Sequence, residues 1–284
     1  EDNPGMPVEV EESAYTYENG VITIHELLPD SVYASFYNPL FPFSELNTTK
    51  FKVKDASEYD KPVLAAVVGN DLPVGTEVQL YVGLENATED NQRTLLVDLG
   101  DESLKQFHSV TSAIPAEANV VAPKNGSGPI KIYMPEGESM TALKIENMSL
   151  TSLDLTNAAQ LAELTLTNTQ LPELDLKWNR LLKSVDITGN NFSDGFTLEG
   201  ANGGYGKNML SHINLSNNNM PKVKLNEPGS WQYIDLSFNH LSDLNFTDAD
   251  YVTYLDLSHN DFESVKINYL GELKTFYCND NLLS

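Results

Sequence analysis

From Met140 to the end of the chain, one apolar pattern returns every 21 residues. Its inner pair falls at Leu143/Ile145, Leu164/Leu166, Val185/Ile187, Ile213/Leu215, Ile234/Leu236, Leu255/Leu257 and Phe276/Cys278. The intervals are 21, 21, 28, 21, 21 and 21 residues, so seven units run in register with one insertion. The residue three places before each pair is always apolar: Met140, Leu161, Leu182, Leu210, Trp231, Val252 and Leu273. A unit this short cannot enclose its own apolar face and must stack on its neighbours, so the pattern predicts a solenoid. Such a chain offers a long, regular surface, and function is to be sought on that surface.

The inner pair has the alternation of a strand, with both apolar side chains pointing one way. Stacked units therefore lay these strands side by side as a parallel sheet lining a concave face. A second apolar pair follows (Leu153/Leu155, Leu174/Leu176, Phe196/Leu198, Val223/Leu225, Leu244/Phe246, Val265/Ile267) and lines the convex side. With 21 residues per unit there is little room for a long helix, which leaves extended or short 3₁₀ structure there. Asn recurs at 190, 218, 239, 260 and 281, where the chain leaves the strand. A buried amide at that place satisfies backbone groups from turn to turn, as a ladder. Met148 and Thr169 occupy the same column in the first two units and leave the ladder in doubt there. The insertion, Glu199–Asn208, is rich in Gly and reads as a tolerated solvent-side loop; the sharper alternative is a binding loop with Tyr205 at its tip.

These residues resemble the leucine-rich repeat, L-x-x-L-x-L-x-x-N-x-L, over about half of the chain. The second apolar pair makes them similar to the short, two-sided repeats of secreted and surface proteins of Gram-negative gut anaerobes, with an internalin-like outline. The resemblance implies export, with a signal peptide already removed, and a place outside the cell or on its outer surface. It also implies binding in place of catalysis.

The first 135 residues lack the 21-residue period. Strand alternation appears at Val21–Ile24, Phe51–Val53, Val63–Val68, Glu77–Val82 and Thr94–Asp98, punctuated by Asn19-Gly20, Gly69–Asp71, Pro73, Gly75 and Gly100-Asp101. The expected architecture is thus mainly β: a flexible acidic tail (1–14), a β-sandwich-like region (15–135), which could be two small β-units, and the solenoid (136–284). Leu96–Asp101 resembles the V-D-W-G-D-G hairpin of PKD-like sandwiches, with Leu99 in place of the Trp and Glu102 in place of the last Gly. Ile132 and Met134 stand 11 residues before Leu143/Ile145, the spacing of a return pair, and are expected to form a half-turn capping the first unit.

Composition narrows the partners. The chain carries 17 basic and 41 acidic residues, a formal net charge of −24, and has no Lys/Arg-rich stretch. Nucleic acid and anionic membrane are therefore poor partners. No apolar run reaches the roughly 18 residues needed to span a bilayer, which argues against membrane insertion. Asp98/Asp101 and Asp248/Asp250 are too sparse for a calcium loop. The histidines at 25, 108, 212, 240 and 259 lack metal-ligand spacing, and no catalytic or cofactor-binding motif is present. The chain therefore reads as a non-enzyme without cofactor or metal. Its one cysteine, Cys278, sits in an inner-anchor column, which predicts a buried, inert thiol.

Residues flanking the inner anchors point away from the core. Over the later turns these are Tyr233, Asp235, Phe238, Tyr254, Asp256, His259 and Tyr277, aromatics beside acids. They form the candidate binding site on the concave face, for a protein or glycan ligand. The rival reading is a structural stalk or assembly element displaying another domain. The last unit ends on Leu282-Leu283 with no polar cap, which leaves three expectations open: Leu273, Phe276, Leu282 and Leu283 are covered by another copy in end-to-end self-association, the final turn is poorly ordered, or the chain is a fragment.

Overall fold

The computed structural model describes residues 15–18, 21–24, 62–198, 210–225, 231–244, 251–266 and 270–284, and among these there is no helix. None is therefore long and apolar enough to cross a membrane. The chain divides into two compact units, Glu1–Asp60 and Lys61–Ser284. In the first, β1 (Tyr15–Glu18) and β2 (Val21–Ile24) pair antiparallel, from Tyr15↔Ile24 to Glu18↔Val21. The tail over 1–14, the strand at Phe51–Val53 and the Gly-rich insertion lie outside the described residues.

The second unit opens with β3 (Val63–Asn70), β4 (Glu77–Leu84), β5 (Arg93–Asp98), β6 (Leu104–Ser109), β7 (Val120–Pro123) and β8 (Ile130–Met134). The repeats follow. Their inner strands are β9 (Met140–Glu146), β11 (Glu163–Thr167), β12 (Ser184–Thr188), β14 (His212–Asn214), β16 (Tyr233–Asp235), β17 (Tyr254–Asp256) and β18 (Thr275–Tyr277). The inner anchors lie in register, Leu143↔Leu164↔Val185↔Ile213↔Ile234↔Leu255↔Phe276, in parallel pairing. From Leu143 to Leu257 they are at most 1% exposed, as the alternation requires.

The return side holds β10 (Leu150–Asp154), β13 (Phe196–Leu198) and β15 (Val223–Leu225), the last two paired parallel. Elsewhere its described residues are extended or turning chain, since a 21-residue circuit leaves no length for a helix.

The seven parallel strands do not end at β9. β4 lies antiparallel along its edge, with Val82 opposite Leu143, and β7 lies beyond β4. On the other layer, β3 pairs antiparallel with β10, placing Val68 opposite Leu153. Two sheets result, β18-β17-β16-β14-β12-β11-β9-β4-β7 and β10-β3-β8-β5-β6, enclosing one continuous apolar core. The expected half-turn at Ile132/Met134 is placed differently. Both residues are buried, but β8 pairs with β3 and β5, and it is β3 that meets the first return strand. One edge of β3 is given to β10 and the other to β8, so the 11-residue spacing does not mark adjacency.

The Asn column is a ladder. Asn239 Nδ2 donates to the carbonyls of Leu215 (3.0 Å), Leu236 (3.0 Å) and Ser237 (3.1 Å), and its Oδ1 accepts from the amides of Asn218 (3.1 Å) and Met220 (3.0 Å). Asn190, Asn218, Asn260 and Asn281 likewise donate both to the preceding turn and to their own. Thr169 joins it as a lesser member, fully buried, its hydroxyl donating to Asn190 Oδ1 at 2.5 Å. Met148 instead packs into the core.

The last turn departs from expectation. Cys278 is partly exposed, and Phe276 beside it only partly buried, β18 being the edge strand of the sheet among the described residues. Leu282 and Leu283 are exposed.

Candidate ligand-binding face

Parallel strands about 4.8 Å apart bring equivalent residues of successive turns into contact. His212, Tyr233 and Tyr254 occupy one such row. The His212 and Tyr233 rings stack at 4.4 Å and 12°, and Tyr233 and Tyr254 at 4.3 Å and 8°. The next rung is Thr275, so the row stops there. Tyr277 belongs to the neighbouring row, half-exposed, with its ring tilted 59° against Tyr254 at 5.9 Å.

That neighbouring row runs Asp186, Asn214, Asp235, Asp256, Tyr277. Its aspartates also shape the strand ends. Asp235 Oδ1 accepts from the Ser237 amide (2.9 Å) and hydroxyl (2.7 Å), and Asp256 Oδ1 does the same with Ser258 at 2.8 and 2.6 Å. Asn214 accepts from the Ser216 amide in the same way. One oxygen of each carboxylate is thus committed to the fold, and at Asp256 the other accepts from Tyr254 Oη at 3.5 Å. Burial, with the carboxylates Asp235 and Asp256 beside them, pushes the Tyr233 and Tyr254 hydroxyls above the usual phenol range. They remain protonated donors.

Phe238 and His259 lie elsewhere than on the strands. They stand where the chain turns out of β16 and β17, and their rings stack at 4.0 Å and 14°. Both are in the left-handed backbone region, with φ of 55° and 53°. That region suits Asn, Asp, His and Gly, whereas a side chain such as Phe there costs about 1–2 kcal/mol. His259 Nε2 is 3.3 Å from Asp280 Oδ2, the next rung. The structure therefore brings Tyr233, Asp235, Tyr254 and Asp256 together as two adjoining rows, sets Phe238 and His259 at the rim, and places Tyr277 at the end of the acidic row.

Two members of the face were legible in the repeat columns but outside the candidate set. His212 extends the stack by one ring, and Asp186 begins the acidic row. Asp186 Oδ1 is buried without a hydrogen-bond partner. Burial holds its carboxyl above the usual range, opposed by nearby His212 and reinforced by Asp235. A raised folded-state pKa contributes stability that is complete below the ordinary value of 3.8 and lost as pH rises through the raised one. At pH 7 the ionised group is a burden. Asp186→Asn is therefore expected to raise Tm on the order of 2 °C at neutral pH, a gain that fades in acid. A Tm difference independent of pH, in parallel thermal melts, would contradict this account.

The first turns present a different surface. Tyr81 Oη donates to Glu146 Oε1 at 2.9 Å, and Lys144 Nζ lies 2.8 Å from Glu146 Oε2 and 4.4 Å from the Tyr81 ring centre. The loop after β6 leans over the same strands: Thr141 Oγ1 donates to Ser112 O, and the Ile114 amide to Glu163. A Cβ at Gly83 would strike the Ala113 carbonyl and the Ala142 side chain. Polar groups here are consumed within the protein. Tyr81 belongs to no repeat column, so nothing in the sequence announced it.

Among the described residues no group of three or more His, Cys, Asp and Glu side chains converges as metal ligands would. A groove of about 380 Å³ lies on the return side, lined by Glu173, Asp175, Lys177 and Phe196, away from the aromatic rows.

Residues 251–265 match the family described as Leucine Rich repeat. The matched stretch holds the anchors Val252, Leu255, Leu257, Asn260, Phe262 and Val265, with Tyr254, Asp256 and His259 between them. No curated protein matches the chain.

Proposed function

We propose that this leucine-rich-repeat solenoid is a non-catalytic binding protein that recognises a protein or glycan through the concave face of its fourth to seventh turns. The observation that carries the reading is the stacked row His212–Tyr233–Tyr254, partly exposed and lying beside Asp235 and Asp256. Aromatic rings held rigid by their neighbours offer contact area at little entropic cost, and the carboxylates beside them orient a ligand. The open face, with no enclosed cleft gathering titratable groups among the described residues, supports binding over catalysis.

Export to the outer surface of a bacterium is part of the same proposal and rests on the likeness to short, two-sided repeats. A PKD-like character for the strands before the solenoid is supported by the β5–β6 hairpin. There Asp98 Oδ1 accepts from the amides of Gly100, Asp101 and Glu102, and Glu102 takes φ 65° where the related hairpin has Gly. Exposed Leu282 and Leu283 support contact between copies through the last turn, which light scattering across a concentration series tests directly.

Protein and glycan arrays probed with the whole chain, followed by the Tyr233→Ala/Tyr254→Ala variant, test the main reading. The variant is expected to keep a cooperative melt and to lose at least about tenfold in affinity for any ligand found. Retained affinity would place the site in the N-terminal strands or the insertion, and a stalk would be indifferent to the change.

A further inference from the structure

The rim column just before each ladder position reads Asn147, Asn168, Gly189, Asn217, Phe238, His259, Asp280 down the solenoid, and all seven take positive φ. Five of these are Asn, Asp or Gly, the residues that adopt this backbone most readily. Phe238 does not fit that requirement, whereas His enters this region more readily than other ring side chains; the fold gains little from either ring beyond their mutual stack and the His259–Asp280 contact. Phe238 is 54% exposed and His259 is exposed as well, their rings touching each other and open to water. Strained backbone kept for exposed rings points to use by a ligand. These two rungs belong to the same two turns that carry Tyr233 and Tyr254.

Two aromatic rows thus flank the acidic one. At about 3.3 Å per residue, the five steps from Tyr233 to Phe238 span at most roughly 16 Å, the length of about five residues of extended polypeptide. Between the rows stand Asp235 and Asp256. No lysine or arginine among the described residues pairs with either. In turns four to six the described lysines are Lys222, Lys224 and Lys266, all in the return segments, and the described residues there include no arginine. A neutral ligand laid over these carboxylates would strip their water and leave two charges uncompensated. A guanidinium or ammonium would neutralise them and donate charge-assisted hydrogen bonds to them.

We infer that Phe238 and His259 form a second contact row for the ligand of the concave face, and that this ligand is a protein segment presenting an arginine or lysine between the two rows. This rests on the concave face being the recognition surface. The cation sits over Asp235 and Asp256 beside Tyr233 and Tyr254, and the residues next to it along the segment pack on the rim rings.

The test uses the whole chain and a fluorescein-labelled peptide, Gly-Phe-Arg-Gly-Arg-Phe-Gly, with a second peptide in which citrulline replaces both arginines. Anisotropy is read at low salt and at pH 8, where imidazoles are ordinarily neutral. The arginine peptide is expected to bind about tenfold or more tightly than the citrulline peptide. Phe238→Asn/His259→Asn restores the residue type that the backbone prefers. It is expected to melt a few degrees higher, yet to bind the arginine peptide about fivefold or more weakly. A purely structural role would not separate stability from binding in this way. Unchanged binding by the rim variant, with binding lost in Tyr233→Ala/Tyr254→Ala, would overturn the second row and leave the concave face standing. Unchanged binding by both would remove the face as well. Equal binding of the two peptides, or no binding of either at roughly millimolar concentration, would overturn the cationic class of partner.

Discussion

A fragment comprising residues 136–284 alone is expected to lose cooperative folding, although it holds every repeat. The reason lies at the edge of the first turn. β4 covers β9, and β3 covers β10, so that Leu80, Val82, Leu84 and Val68 form one core with Met140, Leu143, Leu150 and Leu153. Each of these side chains is at most 7% exposed. Uncovering four of them at about 1.5–3 kcal/mol each removes about 6–12 kcal/mol, against a total stability of about 5–15 kcal/mol for a folded domain. The backbone edge of β9 would open at the same time, a template for aggregation. Residues 61–284, which form one compact unit, are the control and are expected to show a single steep urea transition. If the shorter fragment unfolds with an equally steep transition, followed by far-ultraviolet circular dichroism, the N-terminal strands are not a structural cap.

The second large effect is expected from Asn239→Ala. Its five hydrogen bonds tie two successive turns, and the side chain is 5% exposed. Removing it strands the Asn218 and Met220 amides in a site closed to bulk water, at about 1–3 kcal/mol for each buried group left unsatisfied, while the three carbonyls keep donors in Asn218 Nδ2, Asn260 Nδ2 and the Asn217 amide. Water entering the vacated space recovers part, so the loss is expected at about 3 kcal/mol. Thr169→Ala, in the same column, gives up one hydroxyl bond and a methyl group and is expected to lose much less. Urea midpoints of the two variants decide the matter, and equal shifts would mean that the amide ladder does not hold the turns together.

Local pattern sufficed wherever one residue's environment repeats at a fixed interval. The alternation at Ile234/Leu236 determined an inward-facing strand, Asn239 its exit, and the 21-residue spacing the parallel stacking that sets Tyr233 over Tyr254. A solenoid turn meets only its neighbours, so sequence interval and spatial neighbourhood coincide there. The same logic reached His212 and Asp186, one and two turns upstream of the candidate rows. Backbone conformation was not legible in this way. Phe238 and His259 read as flanking positions of the face, and only the turn geometry showed them held in the left-handed region at its rim. Nor could the interval say what closes the solenoid. Ile132 and Met134 had the right spacing for a cap, but β4 and β3, whose residues stand 56 to 87 positions before their partners in β9 and β10, take that place. Antiparallel pairing between such distant segments depends on edge hydrogen bonds and on which apolar faces remain uncovered once the repeats have stacked. Those quantities come into being only in the folded chain.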